Sequence, residues 1–206
     1  MFDINQHVFQ APQLTSILEE AVEFFENSKH HSLTEIEPFE GSGVYAVYYH
    51  GLFVPYHWLS TPNQGTPVLP IYVGKTVPAG RRTGKVGLDP QSETSLYYRL
   101  GQHRRSIEQA TNLIASDFRI RFVVLRGIAS ELTESLEIQL IAKHHPLWNQ
   151  IVSGFGNHDP GKGRYFQSKS QWDVLHPGRP WADRLKGAAP TIEAILESIA
   201  QAGLTR

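Results

Sequence analysis

GSGVYAVYYHG at residues 41–51 and PIYVGK at residues 70–75 decide how this chain is read. Both are short runs rich in Val, Ile and Tyr, bounded by Gly or Pro, the pattern of β-strands. Each carries a tyrosine next to a glycine triplet position: Tyr45 in Gly43-Val44-Tyr45 and Tyr72 in Tyr72-Val73-Gly74. Taken singly, a strand tyrosine is usually structural, but the small glycines also allow a phosphate or another backbone to approach closely. The connection LFVPYHWLSTPNQGTPVL (52–69) is uncharged and holds Tyr56, His57 and Trp58. It is long for a hairpin, and reads as a functional or disordered insertion.

Helical periodicity surrounds this pair. Leu14, Ile17, Leu18, Ala21, Val22 and Phe25 line one face of a predicted helix over 13–27, whose outer face is acidic. After the glycine-rich, basic stretch 77–93, Thr94 or Ser95 can cap a helix that runs to about Ala110. FRIRFVVLRG (118–127) alternates Ile120, Phe122 and Val124 with Arg119, Arg121 and Val123, a half-buried strand. Ser130 is placed to cap the next helix, which Pro146 stops. A polar loop, SGFGNHDPGKGR (153–164), precedes a Trp/Pro-rich stretch and a last amphipathic helix bearing Ile192, Ile195, Leu196 and Ile199. The order α-β-β-α-β-α plus a tail predicts an α+β domain with a small three-stranded sheet, antiparallel at its first pair.

Composition narrows the chemistry. The chain has 206 residues, enough for a core without staples, and no cysteine, which excludes disulfides, a thiolate nucleophile and Cys-ligated metals. There is no apolar run long enough to span a membrane and no signal-peptide pattern at the start, so a cytoplasmic protein is expected. No GxGxxG or Walker-type loop points to a nucleotide cofactor. The net charge of −1 hides a strong asymmetry. Residues 1–40 hold eight acids against Lys29, a net −7, whereas residues 71–126 hold ten bases against four acids, a net +6. That basic middle is either a solvated face balancing the N-terminus or the footprint of an anionic partner such as nucleic acid.

Four further polar residues stand out, three of them on helix faces where apolar side chains are expected. Arg99 and His103, four apart, project from one helix face. An inward guanidinium is costly unless it is paired. Glu137 sits among Leu136, Ile138, Leu140 and Ile141, and is either salt-bridged to an arginine or a metal ligand. Asn149, just after Pro146, offers an amide.

Gly43-Val44-Tyr45 and Tyr72-Val73-Gly74, followed in order by Arg99, His103, Glu137 and Asn149, resemble the GIY-YIG nuclease superfamily over residues 43–149. The wide spacing of the two tyrosines, the SGFGNHDPGKGR loop and WDVLHPGRPWA (172–182) resemble more closely its type II restriction endonuclease branch that cuts CCGCGG. The sequence departs from the literal signature only by Val for Ile.

The resemblance implies one domain, with a catalytic core at 43–149, an N-terminal helical extension at 1–40 and a C-terminal extension at 150–206, and DNA-binding loops inserted in the core. It implies hydrolysis of a DNA phosphodiester with one divalent ion, Mg²⁺ or in its place Mn²⁺. Glu137 would be the protein's metal ligand, Arg99 would hold the scissile phosphate, and Tyr45 would act as general base with help from the charge of Arg99. His103 would relay the proton or be the base itself, Tyr72 would bind phosphate or water, and Asn149 would orient its neighbours. A palindromic site implies a homodimer on double-stranded DNA. Contacts to DNA would come from Lys75, Arg81, Arg82, Lys85, Arg104 and Arg105, with Asn157, His158, Lys162 and Arg164 in the tail loop. A less specific nuclease of repair or mobility type, and a non-catalytic DNA-binding module, are the competing readings.

Overall fold

A computed structural model describes residues 2–77 and 95–205. In chain order the elements are α1 (Gln13–Asn27), β1 (His30–Ser32), β2 (Gly43–Tyr49), α2 (His57–Ser60), β3 (Pro70–Thr76), α3 (Ser95–Gln109), β4 (Phe118–Val124), α4 (Thr133–His144), α5 (Leu147–Gln150), α6 (Gln171–Leu175) and α7 (Ile192–Leu204), joined by turns and short 3-10 segments. The strands form one antiparallel sheet in the order β1-β4-β2-β3. The three expected strands are its core. The fourth, β1, has no apolar alternation in His30-His31-Ser32 and exists because it pairs with Ile120 and its neighbours on β4.

All seven residues of β2 are buried, because the alternation of the strand feeds two cores. Tyr45, Val47 and Tyr49 face one side with Ile71, Phe118 and Ile120, covered by Leu96, Leu100 and Ile107 of α3, Trp148 of α5, Trp172 of α6, and Ile195 and Ile199 of α7. Val44, Ala46 and Tyr48 face the other side with Val73 and Val123, covered by Phe25 of α1 and Leu136 and Leu140 of α4. The sheet is therefore a middle layer between two helical layers. The cover of α1 and α4 also explains Arg121, which lies buried on that side with its guanidinium over the Tyr48 ring at 5.7 Å, where the alternation of β4 alone predicts a solvent-facing side chain.

Two further local expectations are corrected. Ser130 does not cap α4: its hydroxyl donates to the Gly127 carbonyl inside a 3-10 turn, and the helix begins three residues later at Thr133. The segment 52–69 is packed rather than loose. Tyr56 and Leu59 enter the core, and buried Asn63 donates to the Tyr49 and Leu69 carbonyls while accepting from the Val68 and Leu69 amides. Its length is used to cover the end of the sheet.

The tail is tied in by a buried polar chain. The Tyr56 hydroxyl donates to His176 Nε2 at 2.6 Å and accepts from Trp148 Nε1 at 2.9 Å, and His176 Nδ1 donates to Asn112 Oδ1 at 2.8 Å. Burial pushes the His176 imidazole down to about 3, so it is neutral and can accept from the phenol.

Candidate active site

The antiparallel register of β2 and β3 sets Tyr45 opposite Gly74. Tyr72, two residues from Gly74, therefore projects from the same sheet face as Tyr45. The rings lie 6.2 Å apart. Gly74 is required by this arrangement: a Cβ there would stand 2.5 Å from the Tyr45 hydroxyl. The edge strand β3 is held from outside by Asn149, whose Oδ1 accepts from the Val73 amide and whose Nδ2 donates to the Val73 carbonyl, both at 2.8 Å. Asn149 thus acts as a one-residue continuation of the sheet, and fixes the strand that carries Tyr72.

Helix α3 runs across this face and brings His103 to the two phenols. His103 Nε2 is 2.6 Å from the Tyr45 hydroxyl, and its ring stacks on Phe155 at 4.4 Å. Burial, together with the positive charge of Arg99, holds the imidazole well below its ordinary pKa. Its neutral Nε2 therefore accepts the phenolic proton. Burial and the neighbouring Tyr72 raise Tyr45 well above the ordinary phenol value, and outweigh the lowering influence of Arg99. The expectation that Arg99 eases ionisation of Tyr45 thus has the right sign but not the dominant magnitude: the resting pair is neutral phenol and neutral imidazole.

Arg99, one turn before His103, donates through Nη2 to the Gly156 carbonyl at 3.0 Å and through Nη1 to Gln102 Oε1 at 3.0 Å, and meets His158 Nε2 at 2.5 Å. Its charge and hydrogen bonding reach both Tyr45 and Tyr72. The costly inward guanidinium is compensated by a carbonyl, an amide oxygen and an imidazole rather than by a carboxylate.

Glu137 projects from α4, and its Oε2 is 2.7 Å from Lys75 Nζ on β3. Lys75 also reaches Glu134 Oε1 at 3.3 Å. Burial disfavours the ammonium, but Glu137 and Glu134 together raise the Lys75 pKa. Glu137 is thus salt-bridged, but to Lys75, expected on DNA, and not to an arginine. Among the described residues no group of three or more His, Asp or Glu side chains could hold a metal ion. A lone carboxylate beside a basic cluster does not fit a caged ion such as structural Zn²⁺. It fits a hard divalent cation that completes its shell with water and phosphate oxygens.

The structure thus gathers Tyr45, Tyr72, Arg99 and His103 in contact and places Glu137, paired with Lys75, where its negative charge raises both tyrosines. Of the tail-loop candidates, His158 joins the cluster, and the Asn157 carbonyl accepts from Arg179. Arg164 borders a neighbouring recess of about 290 Å³ with Asn157, His158 and Gln167, and Lys162 is exposed. Arg104 pairs with Glu108 and, with Arg105, lines a separate recess beside Leu33, Ile36 and Tyr97. Arg81, Arg82, Lys85 and the alternative cap Thr94 lie outside the described residues. Phe155 and the Gly156 carbonyl were invisible to residue-type reasoning: one contributes an unremarkable apolar ring, the other only its backbone.

Among the described residues no helix is long and apolar enough to cross a membrane. No curated protein matches the chain. The family model for the Eco29kI GIY-YIG domain matches residues 37–202. It covers both signature strands and every element that builds the cluster, so the chain belongs to the Eco29kI GIY-YIG domain family, a family of restriction endonucleases.

Proposed function

We propose that this protein is a type II restriction endonuclease that hydrolyses both strands of double-stranded DNA at a short GC-rich palindrome, CCGCGG, as a homodimer with one Mg²⁺ per active site. The observation that carries the reading is the 2.6 Å contact between the Tyr45 hydroxyl and His103 Nε2, buried beside Arg99. The Tyr56–His176 pair has the same geometry and only ties in the tail, but the Tyr45–His103 pair stands beside a guanidinium, a second phenol and the charge of Glu137, a set that a pure DNA-binding module has no use for. An enzyme that must remove a proton from water does.

In this reading Tyr45 takes a proton from the attacking water while its own passes to His103. The transfer starts from two neutral groups, so no buried charge is stored before substrate arrives. The Arg99 guanidinium turns toward the scissile phosphate and offsets charge on its non-bridging oxygens. Tyr72 holds water or phosphate through its hydroxyl. Glu137 holds the metal ion, and Lys75 exchanges its carboxylate partner for a phosphate. A divalent ion held by Glu137, Mg²⁺ or Mn²⁺ in its place, would supply Lewis-acid stabilisation of the leaving 3′-oxygen. Asn149 orients the strand under Tyr72. Bases are read by Arg and Lys side chains, among them Arg81, Arg82, Lys85, Lys162 and Arg164, and the homodimer supplies one active site to each strand.

The test is digestion of unmethylated plasmid carrying CCGCGG with Mg²⁺, followed by sequencing of the product ends. Discrete fragments ending within CCGCGG support the reading. Discrete fragments ending elsewhere overturn the specificity. A smear makes the enzyme a loose nuclease, and binding without cutting makes it a DNA-binding module.

A further inference from the structure

Two groups of the active-site wall come from one loop at 153–158. The Phe155 ring stacks on His103, and the Gly156 carbonyl accepts from Arg99. Such a loop has to be held, since backbone carbonyls on a free loop wander by more than a hydrogen bond tolerates. The holder is Arg179, far along the chain in WDVLHPGRPWA. Its Nη1 donates to the Phe155 and Asn157 carbonyls at 3.1 and 3.2 Å, and its Nη2 to the Gly154 carbonyl at 2.9 Å. Its Nε donates to Asp173 Oδ1 at 2.6 Å, and both side chains are 1% exposed. The guanidinium lies between the rings of Trp172 and Trp181, at 4.4 and 4.7 Å. Asp173 is itself held by the Ser170 hydroxyl at 2.6 Å.

Stability alone accounts poorly for this pair. Burying an ion pair costs desolvation that an apolar pair would avoid. An apolar pair, however, could not gather three carbonyls from one loop. The planar five-donor fork of arginine can.

The geometry points to Arg179, held in place by Asp173, as a positioning residue of the active site that acts through Arg99 and His103. It fixes the carbonyls flanking position 156, which sets the Gly156 oxygen against Arg99 and the Phe155 ring against His103. Arg179 itself touches no reacting atom. The inference rests on the nuclease reading, because it assigns the loop a role in cleavage. Displacements of about 1 Å in a reacting constellation can cost on the order of 10²-fold in rate.

The experiment uses the full chain and long unmethylated duplex DNA with Mg²⁺, at enzyme excess and well below the melting temperature of each variant. Arg179→Lys keeps the charge but loses the fork. Its cleavage rate should fall about 30- to 100-fold, with duplex binding in Ca²⁺ unchanged within about threefold. In an Arg99→Lys background, Arg179→Lys should cost clearly less than in the parent, since the part of its effect that runs through Arg99 is already lost. Should Arg179→Lys fail to fold, the isosteric Asp173→Asn, which removes the charge facing Nε and weakens the Ser170 contact, should show a loss of about 5- to 20-fold with the same lack of additivity. Parent-like cutting by the folded variant, or losses that multiply with that of Arg99→Lys, overturns the inference while the nuclease reading stands. A parent chain that cuts no DNA overturns both.

Discussion

Lys75 Nζ stands 2.7 Å from Glu137 Oε2, so the carboxylate assigned to the metal is already neutralised by a side chain of the neighbouring strand. The ammonium can leave, because Lys75 keeps a second, exposed partner in Glu134. If Glu137 holds the metal as proposed, a cation arriving with DNA competes with Lys75 instead of entering an uncompensated acidic site. Removing the competitor should help the metal. Lys75→Met should lower the metal concentration at half-maximal cleavage about twofold to fivefold, the worth of a partly exposed ion pair. A metal titration of the cleavage rate checks this, and an unchanged midpoint contradicts it.

Glu137→Gln keeps the shape and removes the charge. Cleavage should drop by about 10³-fold, because the divalent ion loses its protein ligand and several kcal/mol of stabilisation with it. Duplex binding in Ca²⁺, read by gel shift, should persist. Cleavage within tenfold of the parent would take Glu137 out of the metal site.

Tyr45→Phe deletes one oxygen and leaves His103 Nε2 buried without its partner. The expected result is a rate loss of about 10² to 10⁴-fold, the usual worth of a positioned proton acceptor. A stability loss of about 1–3 kcal/mol should accompany it, from the unmet imidazole nitrogen. Single-turnover kinetics and urea unfolding measure the two separately.

Gly74→Ala tests the register. The added methyl would meet the Tyr45 hydroxyl at 2.5 Å and Cζ at 2.6 Å. Tyr45 is wholly buried and cannot swing away. About 1–3 kcal/mol of stability should be lost to overpacking, and activity with it, as the Tyr45–His103 contact is pushed apart. A melting temperature and rate equal to the parent's would show that the ring has room which the fold does not display.

Asn149→Ala leaves the Val73 amide and carbonyl without partners. About 1–3 kcal/mol of stability should disappear, seen as a lower urea midpoint. Because β3 carries Tyr72 and Lys75, cleavage should fall too, while Asn149→Asp should restore less than half of the loss, its carboxylate repelling the Val73 carbonyl.

Acid should unfold the chain through its buried imidazoles. The unfolded chain protonates His103 and His176 as pH falls through about 6.5. The folded chain does not protonate His176 until about 3, and burial keeps His103 depressed as well. The unfolded state thus binds more protons, so stability present above pH 6.5 is lost as pH falls, by up to about 1.4 kcal/mol per pH unit for each imidazole. His176→Gln should flatten the curve of unfolding free energy against pH between 6 and 4 by about one proton. An unchanged slope would show that His176 is not buried neutral.

What was legible in the sequence was local. Val-, Ile- and Tyr-rich runs bounded by Gly or Pro marked β2 and β3, alternation marked β4, the spacing of Leu14 to Phe25 marked α1, and the four-residue step from Arg99 to His103 put both on one face of α3. Those patterns depend on backbone geometry that each segment carries with it. Tertiary structure alone decided the rest. β1 has no pattern of its own and exists by pairing with β4. Arg121 is buried because α1 and α4 cover a face its strand would have left open. Asn149 works by bonding the edge of a strand 76 positions away. Gly156 offers only a carbonyl, and residue identity says nothing of where a carbonyl points. Arg179 reads as a surface charge until Asp173, two tryptophans and three loop carbonyls enclose it. Contacts between distant segments are set by how layers stack, and no window of sequence contains both partners.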